Sequence, residues 1–285
     1  MKKPIWANII ILSIGISSLS NYLGTSPNNT SSIENIKVLS YNVRLFNKYN
    51  WLTEPNIQSK IFDFLKERNT DILCIQEFYT ADKIPDLNYP YRHIGIQHKK
   101  RQWHMAIYSK YPQISKETVR IKDRSMNNTC IYSDLIIKRD TIRVYNIHLA
   151  SNWFNTADYS FIENPKKENL KKSLIGIIKR MKNSYKKRAE EVEIIKKHMK
   201  ESPYPIIICG DFNDTPLSYA YHSIKGNLVD SFKNSGKGIG SSFVKIPALR
   251  IDYILHDEKL ESTNYQKYNQ ILSDHYAISC EITIP

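Results

Sequence analysis

Short runs of apolar and β-branched residues recur from Val38 onward, at 38–41, 72–76, 105–109, 130–137, 142–147, 206–209, 251–255 and 277–284. Polar, charged, Gly or Pro residues bound each run, which is the punctuation of strands rather than of long helices. The polar stretch Lys138–Thr141 joins two of them and predicts a hairpin. Between them lie segments of helical period. From Pro55 to Arg68, the residues Ile57, Ile61, Phe64 and Leu65 share one face, Pro55 suits the first turn and Asn69 suits the exit. The pattern predicts a mixed α/β fold.

A longer helical segment spans residues 164–200. Leu174, Ile178, Met181, Tyr185, Val192, Ile195 and Met199 recur at steps of three, four or seven, which predicts one packed face with the lysines in water. The segment holds 13 Lys or Arg against 4 Glu, so +9 of the chain's +13 is concentrated here. Beside the solvated face stands a functional alternative, a surface that binds phosphate.

The first residues read differently. Lys2 and Lys3 precede an apolar stretch from Ile5 to Leu19, interrupted by Asn8, with small residues at Ser18 and Ser20. That is the layout of an export signal cleaved after Ser20, and it competes with an uncleaved anchor, for which the stretch is short. Either way the lysines stay inside and the rest is delivered outward, so the expected location is periplasmic or membrane-anchored and facing out. Thr25–Ser32 (TSPNNTSS) reads as a linker, which makes residues 1–35 signal or anchor plus linker and residues 36–285 the folded domain.

With 285 residues, 41% hydrophobic and 11% aromatic, the chain can bury a substantial core and is not a disordered protein. Its charge of +13 favours anionic partners: nucleic acid, phosphorylated metabolites or anionic lipid headgroups. Cys74, Cys130, Cys209 and Cys280 each lie within an apolar run without CxxC spacing, and are read as small buried hydrophobes.

The candidate chemistry sits where the strand-like runs end: Asn42 in SYNVRLF, Glu77 in CIQEF, His148 in YNIHLAS, Asp211 and Asn213 in IIICGDFNDTP, Asp252 in RIDYIL, and Asp274 and His275 in LSDHYAI. Singly, each could be a turn former, a helix cap or a packed imidazole. The GDFND segment is harder to explain that way. Two carboxylates and an amide within four residues of an apolar strand form a costly cluster unless an ion or ligand uses it.

Taken together and in this order, SYNVR, IQEF, NIHLAS, GDFND, RIDYIL and SDHYAI resemble the signature segments of the endonuclease/exonuclease/phosphatase superfamily, over about Ile36 to Pro285. The resemblance implies a four-layered α/β sandwich of two mixed β-sheets flanked by helices, with the site at one edge. It implies Glu77 as the principal ligand of Mg²⁺ or Mn²⁺, with Asn42 beside it and Asp274 holding that ion or a second one. Asp211 is expected to accept the proton of the attacking water, while Asn213 hydrogen-bonds the phosphate or orients that water. His275, supported by Asp252, and His148 are expected to face the phosphate or leaving group. Some relatives carry an acidic residue where this chain has Arg44, so a cation stands there, which either offers a fork to an anionic substrate or is a surface arginine paired with a loop acid. The residues Trp153, Phe154, Tyr159 and Phe161 that follow His148 are expected to rim the site or pack under the basic helix.

The leading functional expectation is an exported, metal-dependent phosphoesterase with a nuclease-like preference for phosphodiesters. A phospholipid or inositol-phosphate ester is the alternative substrate, and a catalytically inactive anion-binding module the non-enzymatic alternative.

Overall fold

The computed structural model describes residues 15, 20–25, 35–79, 84–95, 103–121, 130–152, 154, 156–163, 170–246 and 248–285. All of the expected export signal but Gly15 and Ser20, all of the linker Thr25–Ser32 but Thr25, Trp153 and the first six residues of the basic segment lie outside the described residues.

In chain order the elements are β1 (Leu23–Thr25), β2 (Ile36–Asn42), α1 (Ile57–Arg68), β3 (Ile72–Tyr79), β4 (Tyr91–Gly95), β5 (Trp103–Ser109), β6 (Gln113–Thr118), β7 (Cys130–Ile137) and β8 (Asp140–His148). There follow α2 (Thr156–Glu163), α3 (Leu170–Lys200), β9 (Ile206–Asp211), α4 (Tyr219–Lys225), β10 (Val229–Asp230), α5 (Ser231–Ser235), β11 (Lys237–Ile239), β12 (Asp252–His256), β13 (Glu261–Lys267) and β14 (Ile278–Thr283). Two six-stranded sheets form, in the orders β13-β14-β2-β3-β5-β4 and β10-β12-β9-β8-β7-β6. Both are mixed: β2 and β3 run parallel at the centre of one, β8 and β9 at the centre of the other, and antiparallel strands flank each pair.

Alternation along the strands explains the layering. In β2 and β3, Val38, Ile72 and Cys74 point into a core shared with Val144, Ile207, Cys209 and Ile254 of the other sheet. Their neighbours Leu39, Tyr41, Leu73 and Ile75 point the opposite way, onto Ile57, Ile61, Phe64 and Leu65 of α1. On the far side Tyr145, Ile147, Ile208 and Tyr253 meet Val192 and Ile195 of α3 and Ala220, Tyr221 and Ile224 of α4. Both faces of each central strand are therefore apolar, as their near-continuous hydrophobic runs require. The result is the expected helix–sheet–sheet–helix sandwich.

The hairpin falls where expected, with Ile137 opposite Asp140 and Lys138 in the left-handed region. Asn69 takes the left-handed exit from α1. All four cysteines are buried with free thiols. Two expectations change. Leu23–Thr25 pairs with Lys237–Ile239, and Arg250 Nη2 donates to the Asn21 carbonyl at 3.0 Å, so contacts with the body begin ahead of the expected linker. On α3, Val192 and Ile195 are packed as predicted, but Leu174 and Ile178 are 42% and 60% exposed. Among the described residues no helix is long and apolar enough to cross a membrane.

Candidate active site

The two parallel pairs end side by side, and their carboxyl ends deliver the chemistry. Asn42 is the last residue of β2, in register with Gln76 of β3. In the other sheet His148, the last residue of β8, sits opposite Asp211, the last of β9, and Asp211 sits opposite Asp252, the first of β12. The sheets are tied beneath this edge by buried amides: Gln76 Nε2 donates to Asn146 Oδ1 at 2.7 Å, and Asn146 Nδ2 donates to the carbonyls of Ile75 and Ala106 at 2.9 Å. Such a fully buried polar link fixes how the sheets stand relative to one another.

Three backbone features aim the side chains. Pairing of β3 with β5 is interrupted between Ile75 and Phe78, and Glu77, within that bulge, has φ of +50°. A bulge of this kind turns one side chain out of the pleat, here towards the cavity. Gly210 lets β9 approach β8 closely, since a Cβ there would stand 2.0 Å from the Ile147 carbonyl oxygen. Finally, Arg44, Leu45, Phe46 and Asn47 all lie in the left-handed region. A strained conformation at about 1–2 kcal/mol per residue persists here because Leu45 and Phe46 are buried and Phe46 stacks on Phe62 at 4.8 Å.

Asp211 is buried and accepts three hydrogen bonds: Asn42 Nδ2 at 3.0 Å, Asn213 N at 2.7 Å and Asn213 Nδ2 at 3.2 Å. Burial nevertheless pushes its carboxyl above the ordinary range, with Asp252 adding to the rise and His275 and His148 opposing it. Glu77 is raised for the same main reason. Asn42 also donates to Glu77 Oε1 at 3.3 Å, so one amide braces both carboxylates, while its own oxygen accepts from the Arg44 N–H at 3.0 Å. Asn213 spends its side-chain N–H groups on Asp211 and on the Leu149 carbonyl at 3.0 Å, which makes it a brace in this arrangement.

Two imidazoles face these carboxylates. His275 Nδ1 meets Asp252 Oδ2 at 2.9 Å, and its Nε2 lies 3.7 Å from Asp211 Oδ2. Burial alone would lower its pKa, but Asp252, Asp211 and the hydrogen bond to Asp252 together hold it well above the usual value for histidine. His148 Nε2 lies 3.7 Å from Glu77 Oε1 and 3.8 Å from Asp211 Oδ2, buried and without a hydrogen-bond partner. A buried orphan between two carboxylates points to something else that belongs there.

Donor atoms of Asp211, Asp252 and His275 lie within 4.8 Å of one another, close enough to hold a cation. The His275–Asp252 hydrogen bond already occupies two of them, whereas Glu77, which accepts a hydrogen bond from Asn42 and lies 3.7 Å from His148 Nε2, opens onto the cavity. The oxygen donors of Glu77, with Asp274 nearby, suit a hard divalent cation better. Asp274 pairs with Arg44 at 2.8 Å, and the Arg44 guanidinium lies over the Trp51 ring at 4.2 Å. The fork expected to meet substrate is thus held at the cavity wall by an acid and an aromatic face.

Over this floor stands a cavity of about 830 Å³. Arg44, Glu77, His148, Asp211, Asn213, Asp274 and His275 line it, while Asn42 and Asp252 lie behind them. All nine residues singled out in the sequence are therefore gathered at one place.

The sequence profile of the Endonuclease/Exonuclease/phosphatase family matches residues 39–275, most of the chain and every residue just described. The chain belongs to this family. Its named activities are all hydrolyses of phosphate esters, and that is the reaction class of the site. The chain matches no curated protein sequence. Among solved structures, an endonuclease/exonuclease/phosphatase family protein from Bacteroides thetaiotaomicron has a TM-score of 0.64 at 17% identity, covering 88% of this chain and 98% of that one. A mannosyl-6-phosphatase from the same organism has a TM-score of 0.62 at 17% identity, with 87% and 100% covered. The human Nocturnin catalytic domain with bound sulfate has a TM-score of 0.59 at 15% identity, with 90% and 97% covered. At these identities the likeness is one of fold.

Several contributors to this family site escape the sequence reading. Arg188 of α3, fully buried, donates to Asp214 Oδ2 at 2.9 Å and to the Ala150 carbonyl at 2.7 Å, binding together the loops that follow His148 and Asn213. It lay among thirteen basic residues and nothing marked it out. Ser242 Oγ accepts from the N–H groups of Ile251 and Asp252, both at 3.0 Å, and fixes the start of β12. Tyr159, expected at the rim, lines the cavity, and burial, aided by Asp274, raises its hydroxyl to about 12. His104 lines the cavity as well, its pKa lowered by burial and its Nδ1 without a hydrogen-bond partner among the described residues.

Proposed function

We propose that this protein hydrolyses phosphate esters with the help of a bound Mg²⁺ or Mn²⁺. The observation that carries the reading is the meeting of Glu77, Asp211, His148 and His275 around a buried, unpartnered imidazole nitrogen on the cavity floor. Glu77 would hold the cation, with Asn42 and Asp274 beside it. When bound, the cation supplies charge neutralisation at the phosphoryl oxygens.

The remaining work falls to the chain's own residues. Asp211, raised by burial and held by Asn42 and Asn213, accepts a proton from the attacking water, for which a base stronger than an ordinary carboxylate is better matched. His275, cationic and oriented by Asp252, presents Nε2 to a phosphoryl oxygen, and stabilises charge as it builds there. His148 Nε2 addresses the phosphoryl group or the departing oxygen. Water adds to phosphorus, the ester oxygen leaves with a proton, and the products are an alcohol and a phosphate.

Two features bear on the organic part of the ester. Phe154, Tyr159, Ile162, Ile177, Met181 and Phe243 line the cavity above the polar floor, which supports a substrate whose non-phosphate part is apolar, as in a phospholipid. The nuclease-like reading draws on the basic charge, most of which lies on the outer surface of α3, with Lys187 of that helix and Arg44 lining the cavity. A panel of duplex DNA, single-stranded RNA, phospholipid in mixed micelles and soluble inositol phosphates, each with Mg²⁺ or Mn²⁺ and with Asp211→Asn as the blank, tests the proposal. Preferential cleavage of the phospholipid supports the apolar-chamber reading, and preferential cleavage of nucleic acid overturns it.

A further inference from the structure

The amino-terminal half of α3 breaks the pattern of the rest of the helix. From Leu170 to Tyr185 its buried residues are Ile177 and Ser184, while Leu170, Leu174, Ile175, Ile178 and Tyr185 are exposed. On a helical projection the exposed Leu170, Leu174, Ile178 and Tyr185 form one band beside the buried face, while Ile175 lies beyond it, past Lys171 and Lys182. The exposed Lys171, Lys179, Lys182 and Lys186 border that band, and residues 170–189 contain no acidic residue. Arg180 pairs with Asp158 of α2, which anchors α3 on its other side and leaves the band outward. Ile162, on α2, adds a further exposed apolar side chain.

A face that merely keeps a helix soluble would be polar. A surface built for a nucleic-acid backbone would place lysines at phosphate spacing and aromatics for stacking, but four of the five exposed apolar residues here are aliphatic and have no ring to stack on a base. Aliphatic side chains flanked by lysines, without acids, complement one partner: a bilayer whose headgroup region is negative and whose acyl boundary is apolar. The location agrees. Ile162, Ile177, Met181 and Tyr185 also line the catalytic cavity, so the band borders its mouth.

We propose that residues 170–186 of α3 form an interfacial docking surface for anionic membranes, with the apolar band lying at the headgroup–acyl boundary and the lysines on anionic headgroups. This is a second contact with lipid, distinct from any made by the N-terminal segment. It requires no catalytic step and stands whether or not the reaction proposed above is correct.

The experiment uses the full chain with Ile178→Cys carrying an environment-sensitive fluorophore. The four native thiols are buried, so the new one is labelled selectively. Leu174→Cys gives a second reporter, and Glu190→Cys, exposed among the acidic residues further along α3, a control. With vesicles of phosphatidylcholine containing phosphatidylglycerol, emission at 174 and 178 is expected to shift to the blue and rise severalfold, while emission at 190 stays constant. Pure phosphatidylcholine vesicles, high salt, or Gln at positions 171, 179, 182 and 186 should reduce the response. Reporters at 174 and 178 that ignore anionic vesicles overturn the proposal. So does emission already blue-shifted without lipid, which would mean that the chain's own N-terminal apolar segment covers the band. Emission that rises with protein concentration alone would indicate a second copy, and a response to duplex DNA but not to vesicles a nucleic acid; either result also overturns it.

Discussion

Replacing Arg188 by Leu probes how the basic helix supports the site, because this side chain is the one guanidinium that reaches both catalytic loops among the described residues. Leucine fills much of the same volume but removes the cation beside Asp214 and the donor to the Ala150 carbonyl. Arg188 is 1% exposed and Asp214 8%, so solvent can replace neither contact. Removing one partner of a buried pair costs about 3–5 kcal/mol. Against a net stability of about 5–15 kcal/mol, that is a large share, and it corresponds to a fall in Tm of about 6–20 °C for a domain of this size. The sign of the pH dependence follows from Asp214. Burial already raises its carboxyl above the ordinary value despite Arg188, and without the guanidinium the rise is greater. In the variant, folded protein binds a proton that the unfolded chain releases near its ordinary pKa. The deficit is therefore greatest at neutral pH and shrinks as pH falls through the raised value of Asp214. Adding Asp214→Asn removes the stranded charge, and should recover a good part of the loss at neutral pH. Urea unfolding of the two variants at neutral and mildly acidic pH gives the numbers. A loss below about 1 kcal/mol, the range of exposed pairs, or a double variant no more stable than the single one, would refute the assignment of a buried, uncompensated charge.

The dyad of His275 and Asp252 should behave as a unit: His275→Ala is expected to lower kcat about 10²-fold or more, and Asp252→Asn to add little when the two are combined. Penalties that multiply in steady-state kinetics would separate their roles. Glu77 and Asp211 must both be ionised to act, and burial raises both, so kcat/KM should fall on acidification at a pH above the free carboxylate values of about 3.9–4.3. Protons and cation compete for Glu77, so metal affinity measured by calorimetry should weaken over the same window with proton release on binding. An affinity independent of pH there would contradict this.

The sandwich was legible because strands buried on both faces must be apolar without interruption, and the runs at 38–41, 72–76 and 206–209 are. The site was legible for a related reason, since polar groups that terminate such runs have only the sheet edge to occupy. Strands with wet faces were not. Gln113–Thr118 and Tyr91–Gly95 lie at sheet edges, alternate or mix exposure, and carry no apolar run. Nor could the sequence distinguish Arg188 from the lysines around it, or foresee that Gln76 and Asn146 bridge the sheets, because those pairings depend on contacts between segments far apart in the chain. The period along α3 put seven apolar residues on one packed face, of which Val192 and Ile195 are buried while Leu174, Ile178 and Tyr185 are exposed. It could not tell that the partner surface reaches Val192 and Ile195 and stops short of Leu174 and Ile178, and the exposed band is the consequence.

The central claim is that Glu77 and Asp211 divide cation binding from proton abstraction at one site. The most direct measurement is cleavage of a phosphate ester that the wild type accepts, followed as Mg²⁺ is titrated back into chelated enzyme, for the wild type, Glu77→Gln and Asp211→Asn. The wild type should be inactive in chelator and recover fully. Glu77→Gln should recover partly at higher Mg²⁺, and Asp211→Asn should stay inactive at every concentration. Full activity in chelator, or recovery of Asp211→Asn by added metal, would contradict the account.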